Sequence, residues 1–152
     1  GPGYVIDFLP EVDYVGFDID SNYIQTAKQK YSNKLFTCSS IADFHIENPK
    51  TFDVVMCAGV LHHLNDQEAD ELFTLAKRAL KPNGRLVTLD GCYTNNQNIF
   101  AKKLLDLDRG QYVRTEEEYL KLATKHFSKV TTKIDESYFH IPYTSIILQY
   151  YP

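Results

Sequence analysis

Short apolar runs alternate with segments of helical period along the first 90 residues. Four runs are typical of buried strands, because they are continuous, apolar and bounded by polar or turn-forming residues: 15–19, 35–38, 52–57 and 85–90. Apolar residues recur on one helical face over 23–31, after a cap at Asp20 or Ser21, and over 69–80. The KPNG sequence at 81–84 predicts a helix end and a tight turn into the next strand. This alternation predicts right-handed βαβ units and a mostly parallel sheet with helices on both faces.

The last third of the chain has a looser pattern. After a polar loop at 94–98, the sequence predicts a short helix over 99–107. Thr115 and Glu118 have the spacing of a capping box and predict a second helix that ends near residue 126. Two alternating runs, too close together for a crossover helix, predict a C-terminal antiparallel hairpin: 130–134 and 143–150.

Composition and charge restrict the class of protein. The 152 residues are 43% apolar and 24% charged, which predicts one globular domain. The formal charge is −4 and the basic residues are scattered, so no nucleic-acid partner is expected. No apolar run approaches the length of about 20 residues that spans a bilayer, and no secretion signal is visible, so we expect no membrane partner and a cytoplasmic location.

The cysteines indicate neither a disulfide framework nor a metal site. Their number is odd, they lack CxxC spacing, and each lies in apolar surroundings: Cys38, Cys57 and Cys92. We therefore predict three buried free thiols and no bound metal.

The residues that follow each predicted strand are the candidates for ligand binding, because ligands of open α/β sheets bind at the carboxyl ends of the strands. Asp18 closes the first of these runs, and its two carboxylate oxygens suit the vicinal hydroxyls of a ribose. Gly1 and Gly3 precede it by a short helical segment over 4–9. Glycines in that position would let the backbone approach a cofactor closely. The alternative is that GPG is an unstructured leader or a cloning scar.

The order of the motifs GPG, YVGFDID, FDVVMCAGVLHHL and LKPNGRLVTLD, followed by a terminal hairpin, resembles class I S-adenosylmethionine-dependent methyltransferases over nearly the whole chain. The resemblance implies a Rossmann-like fold and S-adenosylmethionine as cofactor. In that family an acid and a GxGxG loop follow the first strand, whereas this sequence has only GPG. We therefore expect residues 1–152 to form one methyltransferase-like domain that lacks its N-terminal first strand.

The same resemblance implies roles for individual residues. Asp18 falls on the family's ribose-binding acid, and Ile19 on the apolar residue that packs on adenine. Ser40 falls where the family commonly has an aspartate for the adenine amino group, which leaves the backbone of Ile41 to make that contact. Three consecutive residues fall where the backbone meets the methionine portion of the cofactor: Cys57, Ala58 and Gly59.

The reaction that this family carries out is an in-line displacement at the methyl carbon of a sulfonium. Alignment of nucleophile, methyl and sulfur contributes up to roughly 7 to 11 kcal/mol, whereas one positioned base contributes roughly 3 to 5 kcal/mol. If a base is used, the candidates are His62, His63, Tyr93 and His140. The alternatives are that the two adjacent histidines cap or pack the following helix, that Tyr93 is a wall of the acceptor pocket, and that His140 is merely exposed.

The acceptor side of the site is less well defined. The loop over 109–114 contains Arg109, Tyr112 and Arg114, and is either a lid that recognises a carboxylate or phosphate or a plain solvated loop. The segment 94–98 either contacts substrate or is an ordinary connection.

The leading prediction is methyl transfer to a small-molecule acceptor by a monomer or a homodimer. A rival is a catalytically inactive cofactor-binding or assembly module, since loss of the first strand would leave two interior strands without a neighbour. A nicotinamide-dependent oxidoreductase is less favoured, because the terminal hairpin and the lack of a well-placed Tyr-x-x-x-Lys pair argue against it.

Overall fold

Residues 1–45 form one of two compact units in the computed structural model, which describes residues 1–108 and 110–152. After a 3₁₀ turn at Tyr4–Phe8, strands β1 (Val15–Asp18) and β2 (Leu35–Cys38) pair in parallel, and helix α1 (Ser21–Lys30) connects them. Asp20 caps α1 by accepting hydrogen bonds from the backbone N–H groups of the first turn. The core of this unit comprises Ile24, Ala27, Tyr31 and Phe36.

Residues 46–152 form the second unit, in which a mixed sheet is packed with three helices. Its elements, in chain order, are β3 (Phe52–Ala58), α2 (Asp66–Ala79), β4 (Leu80–Tyr93), α3 (Ile99–Leu107), β5 (Arg114–Thr115), α4 (Glu116–Ala123), β6 (Lys129–Asp135) and β7 (Ser145–Tyr151). The strand order is β3-β4-β7-β6, and β5 pairs with the end of β4. The β3–β4 and β4–β5 pairs are parallel, whereas β4–β7 and β6–β7 are antiparallel.

This arrangement confirms the predicted mixed α/β fold with parallel strands and a C-terminal antiparallel pair. Helix α3 has the predicted bounds, and the predicted capping box at the start of α4 is present. Helix α2 begins earlier than predicted, because Asn65 and Glu68 form a second capping box. The two-residue strand β5 was not predicted from the sequence.

The helix end predicted at 81–84 is confirmed, because α2 ends at Ala79, but the predicted turn is wrong, because these residues belong to β4. The strand begins at Leu80 rather than after the glycine, and residues 81–84 interrupt the β3–β4 ladder from within β4. Phe52 pairs with Leu80, and Val54 pairs with Arg85. A Cβ atom at Gly84 would lie 2.9 Å from the carbonyl oxygen of Phe52, so the missing side chain is what permits this close approach.

The cysteines differ in their burial. All three are free thiols, as predicted; Cys92 is buried and Cys57 is half-buried. The prediction of burial is wrong for Cys38, because β2 pairs with β1 alone among the described strands and only one of its four residues is buried. Across the described residues, no helix is both long and apolar enough to cross a membrane.

Candidate active site

The carboxyl end of β1 brings Asp18 beside the glycine loop. One carboxylate oxygen of Asp18 accepts a hydrogen bond from the backbone N–H of Asp20 at 2.8 Å, and the other lies beside the nitrogen atom of Gly1. Gly3 adopts a left-handed conformation with φ of 76°. A Cβ atom there would be strained and would lie 3.3 Å from the ring of Phe36. The predicted neighbours Gly1 and Asp18 are thus in contact, and their role in cofactor binding stays a prediction.

The residues around this end of the small sheet offer both an apolar and a polar surface. The side chain of Ile19 is 77% exposed, which leaves it free to pack against a flat ligand. Ser40 donates a hydrogen bond of 2.6 Å to the carboxylate of Asp43, and Ile41 is half-buried. Asp43 therefore supplies an acid three residues after the position where the family has one. The Ser-x-x-Asp spacing was the sequence signal for this contact, and it was missed.

The carboxyl end of β3 lies in the second unit. Cys57 is half-buried, and burial raises the pKa of its thiol to about 12. Ala58 is exposed, and Gly59 adopts a left-handed conformation with φ of 67°. The N–H of Gly59 donates to the carbonyl of Leu89 at 2.7 Å, which fixes the point where the chain leaves the sheet. A Cβ atom at this glycine would lie 3.7 Å from the ring of His62.

A 3₁₀ turn at Leu61–His63 follows and buries His62 against Asp90. The Nδ1 atom of His62 lies 2.8 Å from Oδ1 of Asp90, and the backbone N–H of His62 donates to the same oxygen at 3.3 Å. Burial raises the pKa of the Asp90 carboxyl, and the hydrogen bonds from His62 oppose that rise. The imidazole is therefore held in one orientation, with Nε2 3.9 Å from Oδ1 of Asp108.

His63 is exposed, and its ring centroid lies 4.2 Å from that of His62. Asp108 accepts hydrogen bonds from the Tyr143 hydroxyl at 3.1 Å and from the Gly110 N–H at 3.3 Å. Burial alone would raise the pKa of Asp108, but these bonds and the neighbouring imidazoles of His62 and His63 together outweigh it, so the pKa lies below its usual value. Sequence reasoning missed Asp90, Asp108 and Tyr143; the position of Asp90 at the end of a predicted strand was the one available signal.

The described part of the loop that was predicted to be a lid is hydrogen-bonded to the 3₁₀ turn at Leu61–His63, called the histidine turn below. Arg114 is buried, and its guanidinium donates to the carbonyls of Leu61 at 3.0 Å and Leu64 at 2.8 Å, and to the carboxylate of Asp66 at 2.9 Å. A Cβ atom at Gly110 would lie 2.1 Å from Cδ2 of His62. Arg114 is therefore not available to bind a substrate anion, which corrects that part of the prediction. Arg109 lies outside the described residues.

Tyr93 and the segment after it have structural partners. The Tyr93 hydroxyl donates to Asp106 at 2.8 Å. The pKa of the phenol is raised, mainly by burial and also by this contact. The tyrosine therefore stays protonated near neutrality and is poorly suited to act as a base. Within 94–98, Gln97 donates to the carbonyl of Cys92 and Asn98 caps α3, which favours an ordinary connection. His140 is exposed, which agrees with the alternative prediction made for it.

Comparison with known proteins identifies the family. The model of the methyltransferase domain family matches residues 1–88, which is more than half of the chain. The chain belongs to the methyltransferase domain family. The match runs from the glycine loop through the histidine turn and into β4, so it includes most of the candidate site residues.

Among curated proteins, this methyltransferase domain is similar to N-terminal Xaa-Pro-Lys N-methyltransferase 1. It is 31% identical to the Homo sapiens protein over 91 residues, covering 57% of this chain and 40% of the relative. It is 40% identical to the Bos taurus protein over 55 residues, covering 36% of this chain and 24% of the relative. The alignments thus span less than half the length of these curated relatives.

Solved structures share the fold of this methyltransferase domain. A Pyrococcus horikoshii protein has a TM-score of 0.74 at 20% identity, covering 100% of this chain and 78% of the other. A TehB-like SAM-dependent methyltransferase of Corynebacterium glutamicum has a TM-score of 0.64 at 18% identity, covering 92% and 68%. An N-methyltransferase 2 of Haemonchus contortus, solved with phosphomonomethylethanolamine and S-adenosylhomocysteine, has a TM-score of 0.68 at 15% identity, covering 91% and 43%. The fold is that of class I methyltransferases, and the cofactor is S-adenosylmethionine.

Proposed function

We propose that the protein transfers the methyl group of S-adenosylmethionine to the nitrogen of an amine acceptor. The observation that carries the proposal is the half-buried Asp18 carboxylate beside Gly1, within the segment that the family model covers. Asp18 would accept hydrogen bonds from the ribose hydroxyls and Ile19 would pack on the adenine. Gly1 and Gly3 would allow close backbone approach, and Ser40, Ile41 and Asp43 would face the adenine edge.

Other residues are proposed for the methionine portion of the cofactor and for the acceptor. The backbone of Cys57, Ala58 and Gly59 would meet the methionine portion of the cofactor. S-adenosylmethionine supplies an electrophilic methyl group when bound, so the chain's own residues have to orient the acceptor and remove a proton from it. His63 is exposed, whereas His62 is buried, so His63 is the histidine that an acceptor can reach and the better placed base. His62 is buried on Asp90 and would hold the turn that presents His63.

Acidic side chains near the turn favour a cationic acceptor. Asp106 and Asp108 lie at the end of α3, where one contacts Tyr93 and the other faces the His62 ring. A protonated amine is attracted by such carboxylates and becomes a nucleophile once it loses its proton. Arg114, the arginine that is bonded to this turn, has its guanidinium occupied by the carbonyls of Leu61 and Leu64, so it is not available to an anionic acceptor.

A small-molecule amine is the acceptor that the sequence predicts. A protein N-terminal amine is the second candidate, favoured by the names of the curated relatives. We also propose that residues 1–152 act as one methyltransferase domain, because the family match includes parts of both compact units. The cytoplasmic location and the monomer or homodimer state stay predictions.

The test begins with calorimetric titration of the full chain by S-adenosylhomocysteine. Saturable binding is expected. A folded circular dichroism spectrum with no heat of binding would instead support the inactive module, and heat with a nicotinamide dinucleotide would support the oxidoreductase. Transfer of radiolabelled methyl groups to a panel of small amines and Xaa-Pro-Lys peptides would then identify the acceptor. N-acetylated peptides are the matched control, because acetylation removes the nucleophilic lone pair.

A further inference from the structure

Three side chains with metal-ligating atoms converge beside the histidine turn. His62, His63 and Asp108 each offer one ligand atom, and these atoms all lie within 4.8 Å of one another. Ligand atoms around a tetrahedral ion with bonds of about 2.1 Å stand roughly 3.4 Å apart. The 3.9 Å between Nε2 of His62 and Oδ1 of Asp108 is slightly longer than that separation. The three side chains would therefore have to move closer together to bind one ion, by an amount set by the limit of 4.8 Å.

The hydrogen bonds behind two of these ligands orient them toward a common point. Nδ1 of His62 contacts the buried Asp90 carboxylate at 2.8 Å, so when Nδ1 carries the proton the lone pair of Nε2 faces Asp108. Oδ2 of Asp108 accepts from Tyr143, and Oδ1, which accepts from the Gly110 N–H at 3.3 Å, faces the imidazole. A carboxylate behind a histidine, with the other ring nitrogen free, is the arrangement that orients metal-binding histidines.

The ion pair between His62 and Asp108 is a long one. The His62–Asp108 separation of 3.9 Å is too long for a hydrogen bond. Of the salt bridges formed by described residues, none joins Asp108 to a lysine or arginine. His63 is exposed, so an ion can reach the cluster from solvent.

We propose that His62, His63 and Asp108 bind one divalent transition-metal ion of the zinc class. Two imidazoles and one carboxylate suit Zn²⁺, and three protein ligands leave a coordination position open. This proposal replaces the sequence-based prediction of no metal. It does not depend on methyl transfer, and it is the alternative to the role of His63 as a base, because a lone pair bound to metal cannot accept a proton.

The experiment is a titration of the full chain, stripped with a chelator, by Co²⁺ alone. We expect visible absorption bands that saturate at one equivalent and disappear when Zn²⁺ is added. His63→Ala and Asp108→Asn should each weaken Co²⁺ binding at least tenfold. His140→Ala is the matched control, because it removes an exposed histidine outside the cluster and should leave the affinity unchanged.

Two results would overturn the metal site: no saturable absorption in the unmodified protein, or equal Co²⁺ affinities for it and both cluster variants. Calorimetry with S-adenosylhomocysteine on the same samples separates this outcome from the proposed function. A chain that binds S-adenosylhomocysteine but not Co²⁺ refutes only the metal site. A chain that binds Co²⁺ through the three residues but not S-adenosylhomocysteine refutes only the cofactor-binding role.

Discussion

Asp18 and Asp90 are both carboxylates near the carboxyl end of a parallel strand, yet their surroundings differ. Asp18 ends β1, its side chain is 23% exposed, and its bonds go to the backbone nitrogen atoms of Gly1 and Asp20. Asp90 lies in β4, its side chain is fully buried, and one oxygen is bonded to His62. The other oxygen of Asp90 has no hydrogen-bond partner among the described residues.

The number of neighbouring strands explains the difference. In the described chain, β1 pairs with β2 alone, whereas β4 pairs with β3, β7 and β5. A carboxylate in a strand with neighbours on both sides loses its solvent and has to find a partner in the protein. The same residue type at the same kind of position can therefore either meet a ligand or hold another side chain, and exposure indicates which.

The largest effect is expected from Asp90→Ala. The change leaves the backbone N–H and the ring N–H of His62 without an acceptor in a buried site, which costs about 2 to 4 kcal/mol. Urea unfolding followed by circular dichroism measures this loss. Asp90→Asn keeps one oxygen acceptor and should lose less. Equal stabilities for the unmodified protein and the alanine variant would show that Asp90 does not hold His62.

The second largest loss of stability is expected at Gly110, which packs against the ring of His62. Gly110→Ala places a Cβ atom where His62 Cδ2 now stands, and such overpacking costs about 1 to 3 kcal/mol. Gly1→Ala is the matched control for unfolding, because no heavy atom lies within 4 Å of a Cβ there. If Gly1→Ala lost stability and Gly110→Ala did not, the expected tight packing around His62 would be contradicted.

Much of the fold could be predicted because its signals are local. Helix α3 was predicted with its bounds, and the Thr115–Glu118 capping box marked the start of α4. Strand β5 has two residues, too few to carry a period, so it could not be predicted. The start of β4 was misplaced because a proline and a glycine ordinarily indicate a turn, whereas here they interrupt a strand ladder.

The candidate site was predicted only in part. Gly1 and Asp18 were expected to be neighbours because both flank a strand end, and they are in contact. The pairing of His62 with Asp90 depends on the register between β3 and β4, which no local pattern records. The burial of Arg114 was missed because a charged residue in a loop is exposed by default, and its carbonyl acceptors are about fifty residues away in sequence.

Asp18→Ala tests whether the half-buried carboxylate at the end of β1 binds the cofactor. Loss of the two hydrogen bonds that Asp18 is proposed to accept from a ribose should weaken S-adenosylhomocysteine binding at least tenfold, or about 1.4 kcal/mol. Calorimetry measures the affinity, and unfolding stability should change little because the side chain is half-buried. Asp13→Ala, which removes an exposed acid from the same unit, is the control. Equal affinities for Asp18→Ala and Asp13→Ala would remove Asp18 from the cofactor site.

The smallest perturbation is alkylation of the cysteines, which compares the two units without changing the sequence. Cys38 is exposed, whereas burial raises the pKa of Cys57 to about 12 and that of Cys92 to about 11. Because the thiolate is the reactive form, iodoacetamide at pH 8 should modify Cys38 first, and the other two only after unfolding. Peptide mass spectrometry of native and urea-unfolded samples measures the order. Rapid modification of Cys57 in the native protein would contradict this expectation, because it would show that the end of β3 is as accessible to solvent as the end of β2.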